Sequence, residues 1–424
     1  PSTRRYRSLA PWLVGRRGLL LSATPMVNHA ADLAHQLRLF LRDDSLAAGG
    51  LASLRALGER HAQVHALGDV VVSGWTETGT RPSLVRHTER LRLDRRLGQV
   101  LRELDRLGLS TDPTVAALVR TSLWGAAASS PAALSAALLR YLVLLDHAAD
   151  AAQSGRPLGR EALRRFMAAD PAQLVLWHLV PEDAVATADL TLADRPRVAA
   201  LRTEVAAMAE RTDNKSARLK QRLADGHRTV VFTGAVATVA YLRRILGPEQ
   251  VAWCTGSAAG IGATRLPREA VLGWFAPGER SLRERSVPGP RVLVTTDVAA
   301  EGLDLQGAER VVHYDLPWTV IRTDQRTGRV RRLESVHAQV SEDWFLPPRA
   351  LARRLRIEGI LARKRLLPDR HGVGEASIAP WRQRIGVARA LAGEPAADGM
   401  AAVRVNGAGD DDALACVLIA AGDG

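Results

Sequence analysis

Two guanidinium groups set three residues apart near the start of a helix can hold the phosphates of a nucleotide. The stretch from Gln325 to Arg332 has that form, Q-R-x-G-R-x-x-R, and follows a β-rich run and an Asp-Leu-Pro-Trp loop. On a helix, Arg329 and Arg332 are expected to project from one face. Their planar forks could meet β- and γ-phosphates and offset the charge that develops in phosphoryl transfer. The plain alternative is a solvated basic helix face.

A second stretch, Val294 to Gln306 (VTTDVAAEGLDLQ), directly follows a β-rich run. Its small residues and Gly302 would let a backbone approach a ligand closely. In an open α/β sheet, ligands bind at the carboxyl ends of the strands. The alternative is a tight strand-to-helix turn. Asp297, Glu301 and Asp304 form an acidic trio, but no His or Cys joins them, and no metal site is expected. The third stretch, Leu21 to Asn28 (LSATPMVN), ends an apolar run in hydroxyl residues that could equally cap a helix.

These stretches need elements to position them. Gly18 to Thr24 and Gly68 to Trp75 read as strands, and Ala30 to Leu41 as a helix; Leu84 to Leu93 fits either a strand or the start of a helix. From about Arg95 to Arg211, apolar residues recur every three or four positions, which predicts several helices. From about Asn214 the pattern alternates. Strands are expected at Thr229–Thr233, Val251–Thr255, Arg291–Thr296 and Arg310–Tyr314, with helices at Ala237–Leu246, Pro267–Phe275 and from Asp324. That alternation indicates a parallel sheet with helices on both faces. Arg349 to Arg365 reads as helix, and residues 370–424 have no strong pattern.

The chain has 424 residues and a formal net charge of +13, and it is 46% hydrophobic. Length predicts two or three domains, and composition excludes a disordered chain. Of 58 basic residues only Lys215, Lys220 and Lys364 are lysines. Arginine suits phosphate, and the basic balance favours a polyanion partner, although a coding bias also explains the Arg/Lys ratio. The two cysteines, Cys254 and Cys416, are far apart and give no disulfide framework, so a reducing, cytoplasmic location is expected. The late apolar run Ala413–Ala421 is too short to span a bilayer, and a soluble protein is expected.

In order, the chain carries Ser-Ala-Thr-Pro, Phe232-Thr233, Thr255-Gly256, Thr-Asp-x-Ala-x-Glu-Gly-Leu-Asp-Leu-Gln and Q-R-x-G-R-x-x-R. This series resembles the superfamily 2 helicases, most closely the Swi/Snf-type translocases of bacteria. Leu21–Asn28 is similar to motif III, Pro82–Thr88 to the end of the first lobe, Val230–Thr233 to motif IV, Val292–Gln306 to motif V, and Tyr314–Arg332 to motif VI and its preceding loop.

The resemblance implies roles by position. Arg329 and Arg332 would be arginine fingers, supported by Gln325 and Arg326. Gly302 and Asp304 would lie near the nucleotide sugar. Thr233, Thr255, Gly256 and Thr296 would touch the nucleic-acid backbone. Ser22 and Thr24 would couple two lobes. The sequence departs from the pattern at Gly234 and Ala235, at Asp304 (commonly Asn), at Thr327 (commonly Ile), and after Arg332.

A motor of this class also needs a G-x-x-x-x-G-K-[ST] loop and an Asp-Glu pair for Mg²⁺. Neither occurs in the sequence, which begins at proline. The expectation is the C-terminal part of a motor that uses ATP and Mg²⁺ but does not hydrolyse ATP alone. The expected fold is α/β. A remainder of a first RecA-like lobe would occupy 1–94, a helical region 95–210, a second RecA-like lobe 211–345, and a helical brace and tail 346–424. Nucleic acid, with duplex DNA favoured, is the expected partner. The alternative is a free-standing module that binds nucleic acid or a partner protein without turning over ATP.

Overall fold

A computed structural model describes residues 4–13, 18–19, 31–39, 41–44, 53–55, 82–156, 158, 160–168, 189–247, 251–276, 289–297, 304–317, 320–332, 335–356, 400–409 and 412–420. They fall into two compact units. One comprises residues 81–318 and 322–358, the other 1–80, 319–321 and 359–424.

In chain order the elements are α1 (Arg4–Leu13), β1 (Gly18–Leu19), α2 (Ala31–Leu37), β2 (Ser83–Arg90), α3 (Arg95–Asp105), α4 (Pro113–Ser129), α5 (Pro131–Gln153), α6 (Arg160–Ala168), α7 (Arg195–Ala209), α8 (Asn214–Leu223), β3 (Thr229–Phe232), α9 (Val236–Leu246), β4 (Val251–Cys254), β5 (Ala259–Ile261), β6 (Thr264–Arg265), α10 (Arg268–Leu272), β7 (Val292–Thr295), β8 (Arg310–His313), α11 (Val320–Val330), β9 (Gln339–Leu346), α12 (Arg349–Leu355), β10 (Met400–Gly409) and β11 (Asp412–Ala420).

The larger unit is built on an eight-stranded sheet of order β2-β9-β8-β3-β7-β4-β5-β6. Six strands, from β2 through β4 in that order, run parallel, and the β5–β6 hairpin adds antiparallel at one edge. Side chains alternate between faces along each strand. Val230, Phe232, Cys254, Leu293 and Val311 pack with α10 and the end of α11. Val231, Trp253, Val294 and Val312 pack with Leu219 of α8 and Val239 and Leu242 of α9. The doubly covered α/β sheet expected from the sequence is therefore present.

The helical region begins with local signals. Asp94 caps α3, and Asp112 caps α4 with Pro113 behind it. Ser130, in extended conformation, ends α4 and caps α5 at once, so two long helices join through a single residue. Alpha 5 packs on α4 and α7 and also touches α9, which fastens the helical region to the sheet lobe.

Several boundaries differ from expectation. Of the segment Leu84 to Leu93, the part up to Arg90 is strand β2 (Ser83–Arg90), which pairs in parallel with β9 over eight residues, from Ser83↔Gln339 to Arg90↔Leu346. The segment assigned to a first lobe thus supplies an edge of the other lobe's sheet. Strands β5, β6 and β9 are not anticipated by the sequence reading. Alpha 11 starts at Val320, four residues before the expected Asp324. In the smaller unit, the segment read as patternless carries the hairpin β10–β11, with β1 on β11. The expected strand at Gly68–Trp75 and the helix beyond Arg356 lie outside the described residues.

Candidate functional site at the carboxyl edge of the sheet

The parallel strands β3, β4, β7 and β8 end side by side, delivering Thr233, Thr255, Thr296 and Asp315 to one edge. This is the edge at which open α/β sheets hold ligands.

Asp315 organises the edge. Its carboxylate accepts from the hydroxyls of Thr233 and Ser129, both at 2.6 Å, and from the backbone N–H of Gly234 at 2.8 Å. Ser129 and Ser130 each share a hydrogen bond with Thr238 at 2.7 Å. Lys215 donates from Nζ to the carbonyls of Ala128 (2.6 Å) and Ser129 (3.1 Å), and lies 4.0 Å from the ring centroid of Tyr314. An ammonium on the last carbonyls of α4 also opposes that helix's negative end. Burial brings the Lys215 ammonium down to about 8, against the pull of Asp315 and Asp213. A cavity of about 490 Å³ opens beside this cluster, with Ser129, Gly234, Asp297, Asp315 and Arg326 in its wall.

Arg326 is almost fully buried. It donates to Asp297 at 2.6 Å and to the carbonyl of Asp315 at 3.1 Å, and stacks 5.4 Å from the centroid of Phe232. Arg322 takes the other oxygen of Asp297 at 2.8 Å. Burial works against the Asp297 charge, but Arg326 and then Arg322 outweigh it and hold the carboxyl below the usual range.

The predicted site residues separate on this frame. Arg329 sits half-buried on α11, and its carbonyl accepts from Leu305 N at 2.9 Å. Helix α11 ends at Val330, so Arg332 lies beyond it and does not share a helical face with Arg329 as expected. It instead forms an ion pair with Asp304, both side chains being about half exposed. Gln325 is exposed, whereas Arg326 points inward. Arg326 therefore braces the carboxyl edge rather than standing beside Arg329 and Arg332, because its spacing from Arg322 puts both on the sheet-facing side.

Thr233 is fully buried, and its hydroxyl is committed to Asp315, so it offers no donor to a phosphate in this conformation. Thr255 Oγ1 donates to Ala258 O (3.0 Å) and closes a tight turn. Gly256 is exposed there, and Arg268 donates to its carbonyl at 3.0 Å. The hydroxyl of Thr296 is buried without a hydrogen-bond partner. Ser22, Thr24, Gly302 and Glu301 lie outside the described residues.

The sequence reading missed Ser129, Thr238 and Lys215. They come from segments with no motif character, and only the helix-to-helix junction at Ser130 brings them in. It also missed Glu342, whose buried carboxylate accepts from Thr327 at 2.6 Å, lies 3.0 Å from His313 Nε2, and pairs with Arg86 of β2.

The residues present suit the outer face of a nucleotide's phosphates. The guanidinium of Arg332 holds the Asp304 carboxylate, as it would a phosphate. No group of three or more His, Cys, Asp or Glu side chains among the described residues could hold a metal ion.

A parallel sheet covered by helices on both faces, with arginines at its carboxyl edge, puts the larger unit in the α/β class. Residues 214–334 match the model of the helicase conserved C-terminal domain. The ATP-dependent RNA helicase MAK5 of Gibberella zeae is 32% identical over 130 residues, covering 30% of this chain and 15% of that protein. The uncharacterized ATP-dependent helicase YqhH of Bacillus subtilis is 30% identical over 107 residues, covering 25% of this chain and 16% of that protein. The crystal structure of the C-terminal part of the Fun30 ATPase domain aligns with a TM-score of 0.37 and 12% identity over 69% of this chain and 98% of that chain. The matched stretch is thus about a sixth of each curated relative named here.

Proposed function

We propose that this chain supplies the second motor lobe of an ATP-dependent nucleic-acid translocase or helicase. Arg329 and Arg332 reach the phosphates of an ATP held with Mg²⁺ by a phosphate-binding lobe outside this sequence. The observation that carries the reading is that, at the end of α11, Asp304 pairs with Arg332 while the N–H of the next residue, Leu305, bonds the carbonyl of Arg329, in a segment matching the helicase conserved C-terminal domain. Arg332 exchanges Asp304 for phosphate when nucleotide arrives. The nucleic acid lies along the carboxyl edge, over the turns at Gly234 and Gly256, and hydrolysis moves it.

Duplex DNA is the preferred track in this reading, on the resemblance of the ordered motifs to Swi/Snf-type translocases. A second reading, RNA, is favoured by the 32% identity to a protein named as an RNA helicase. Competition binding of labelled duplex DNA, single-stranded DNA and RNA to the purified chain separates the two. Failure to bind any of them would sink the proposal.

The chain alone is expected not to turn over ATP. When a phosphate-binding lobe is supplied, Arg329→Ala is expected to lower kcat by roughly 10³-fold or more, as loss of an arginine finger does. Nucleic-acid-stimulated hydrolysis by the chain alone, abolished by Arg329→Ala, would refute the division of labour.

A further inference from the structure

On the other side of the C-terminal turn of α4, Ala128 and Ser129 also wall a second cavity, of about 190 Å³. It lies between the helical region and the sheet lobe and contains none of the motif residues. Arg92, Arg96 and Arg211 surround it, and Lys215 forms part of its wall. The three arginines are exposed, and no carboxylate among the described residues pairs with any of them. That sets them apart from Arg222, Arg310, Arg322, Arg326 and Arg354, which all carry ion pairs.

Two acidic residues share the cavity, Asp94 and Asp213. Both are already used. Asp94 accepts from the backbone of Arg96 and Leu97 as the cap of α3, and Asp213 accepts from Ser216 as the cap of α8. Their presence means that two helix N-termini, of 11 and 10 residues, open at this cavity. Helix N-termini carry positive partial charge. Three side-chain cations without a carboxylate partner therefore face two carboxylates that are spent on capping, and the helix ends add to the positive side. The volume is that of about six waters of liquid. This is below the range of drug-sized sites, but it is room for one phosphate group with its first waters.

We propose that this cavity is a second phosphate-binding site, which takes one backbone phosphate of the nucleic acid through Arg92, Arg96 and Arg211. It rests on the reading that the lobe binds nucleic acid. The α3 end and the α7–α8 connection together grip the strand outside the helicase motifs, so the helical region adds to the footprint.

The test is equilibrium binding of the full chain to a labelled duplex across a salt series. The variants are Arg92→Gln/Arg96→Gln/Arg211→Gln and a charge-matched control, Arg156→Gln/Arg197→Gln/Arg353→Gln, at exposed positions that do not line the cavity. Each backbone phosphate neutralised on B-DNA contributes about 0.9 to the slope of log K against log salt. The expected result is a slope reduced by about 0.9 in the cavity variant and unchanged in the control, with both variants melting as the parent does. Equal slopes in all three proteins, or an equal drop in both variants, would overturn the site and leave the general proposal standing. No binding by the parent protein would overturn both.

Discussion

Thr327 is where the sequence leaves the motif pattern and the structure supplies the reason. Its hydroxyl donates to Glu342, a carboxylate that is 1% exposed, and the isoleucine common at that position could not. Burial pushes the Glu342 carboxyl up, but hydrogen bonds from His313 and Thr327 reverse this and bring it to about 2. A hydrogen bond to a charged group is worth about 1.5–3 kcal/mol. Thr327→Val, which keeps the shape and removes the donor, is expected to lower stability by about that much in urea denaturation. An unchanged midpoint would mean that Arg86 and His313 alone satisfy Glu342. The departure was visible in the sequence, but its partner was not. Glu342 sits on a strand that carries no motif, and Arg86 reaches it from 256 residues away.

At the scale of elements, the parallel strands and their covering helices were legible because apolar runs alternate with helical spacing, as at Val230–Phe232 and Val239–Leu242. The edge strand β2 was ambiguous for a physical reason. Only part of it is covered, so its charged residues (Arg86, Glu89, Arg90) break the apolar pattern, as edge strands tend to do. The connection before α4 was not legible at all. Leu109 there adopts a left-handed φ of 67° and is fully buried. Such a conformation costs a non-glycine residue roughly 1–2 kcal/mol. It is held because Asp194, from the turn before α7, accepts from Leu109 N at 2.8 Å while the Tyr141 hydroxyl donates to its carbonyl at 3.3 Å. Asp194→Ala would strand a buried N–H on an already strained residue. The expected loss is about 1–3 kcal/mol, seen as a lower unfolding midpoint. If Asp194→Ala melted with the parent, the clasp would carry no weight.

For the whole molecule, buried charge sets the response to acid. His313 is buried in its neutral form: burial, the largest influence, lowers its pKa, and Glu342 only partly opposes this. The unfolded imidazole takes up a proton below about 6.5, so this contribution is complete above that pH and declines below it. Hydrogen bonding to Arg310, above all, lowers Asp225 to about 2, the same value as Glu342. Carboxylates depressed in the folded state stabilise it above their ordinary pKa near 4 and lose that stabilisation as pH falls towards 2. The melting temperature is therefore expected to slip gently from pH 7 to 5 and steeply below 4. A flat profile down to pH 3 would contradict the buried His313–Glu342 arrangement.

The pairing of β2 with β9 has a consequence for anyone who divides this polypeptide. Shortened versions that begin at residue 95 or 211 would keep the whole stretch that matches the helicase conserved C-terminal domain yet strip eight residues of hydrogen-bonding partner from β9. A bare parallel edge of that length is a template for another chain. Such pieces should self-associate through β9, and a synthetic peptide of residues 83–90 should dissolve the aggregates by taking back its place in the sheet.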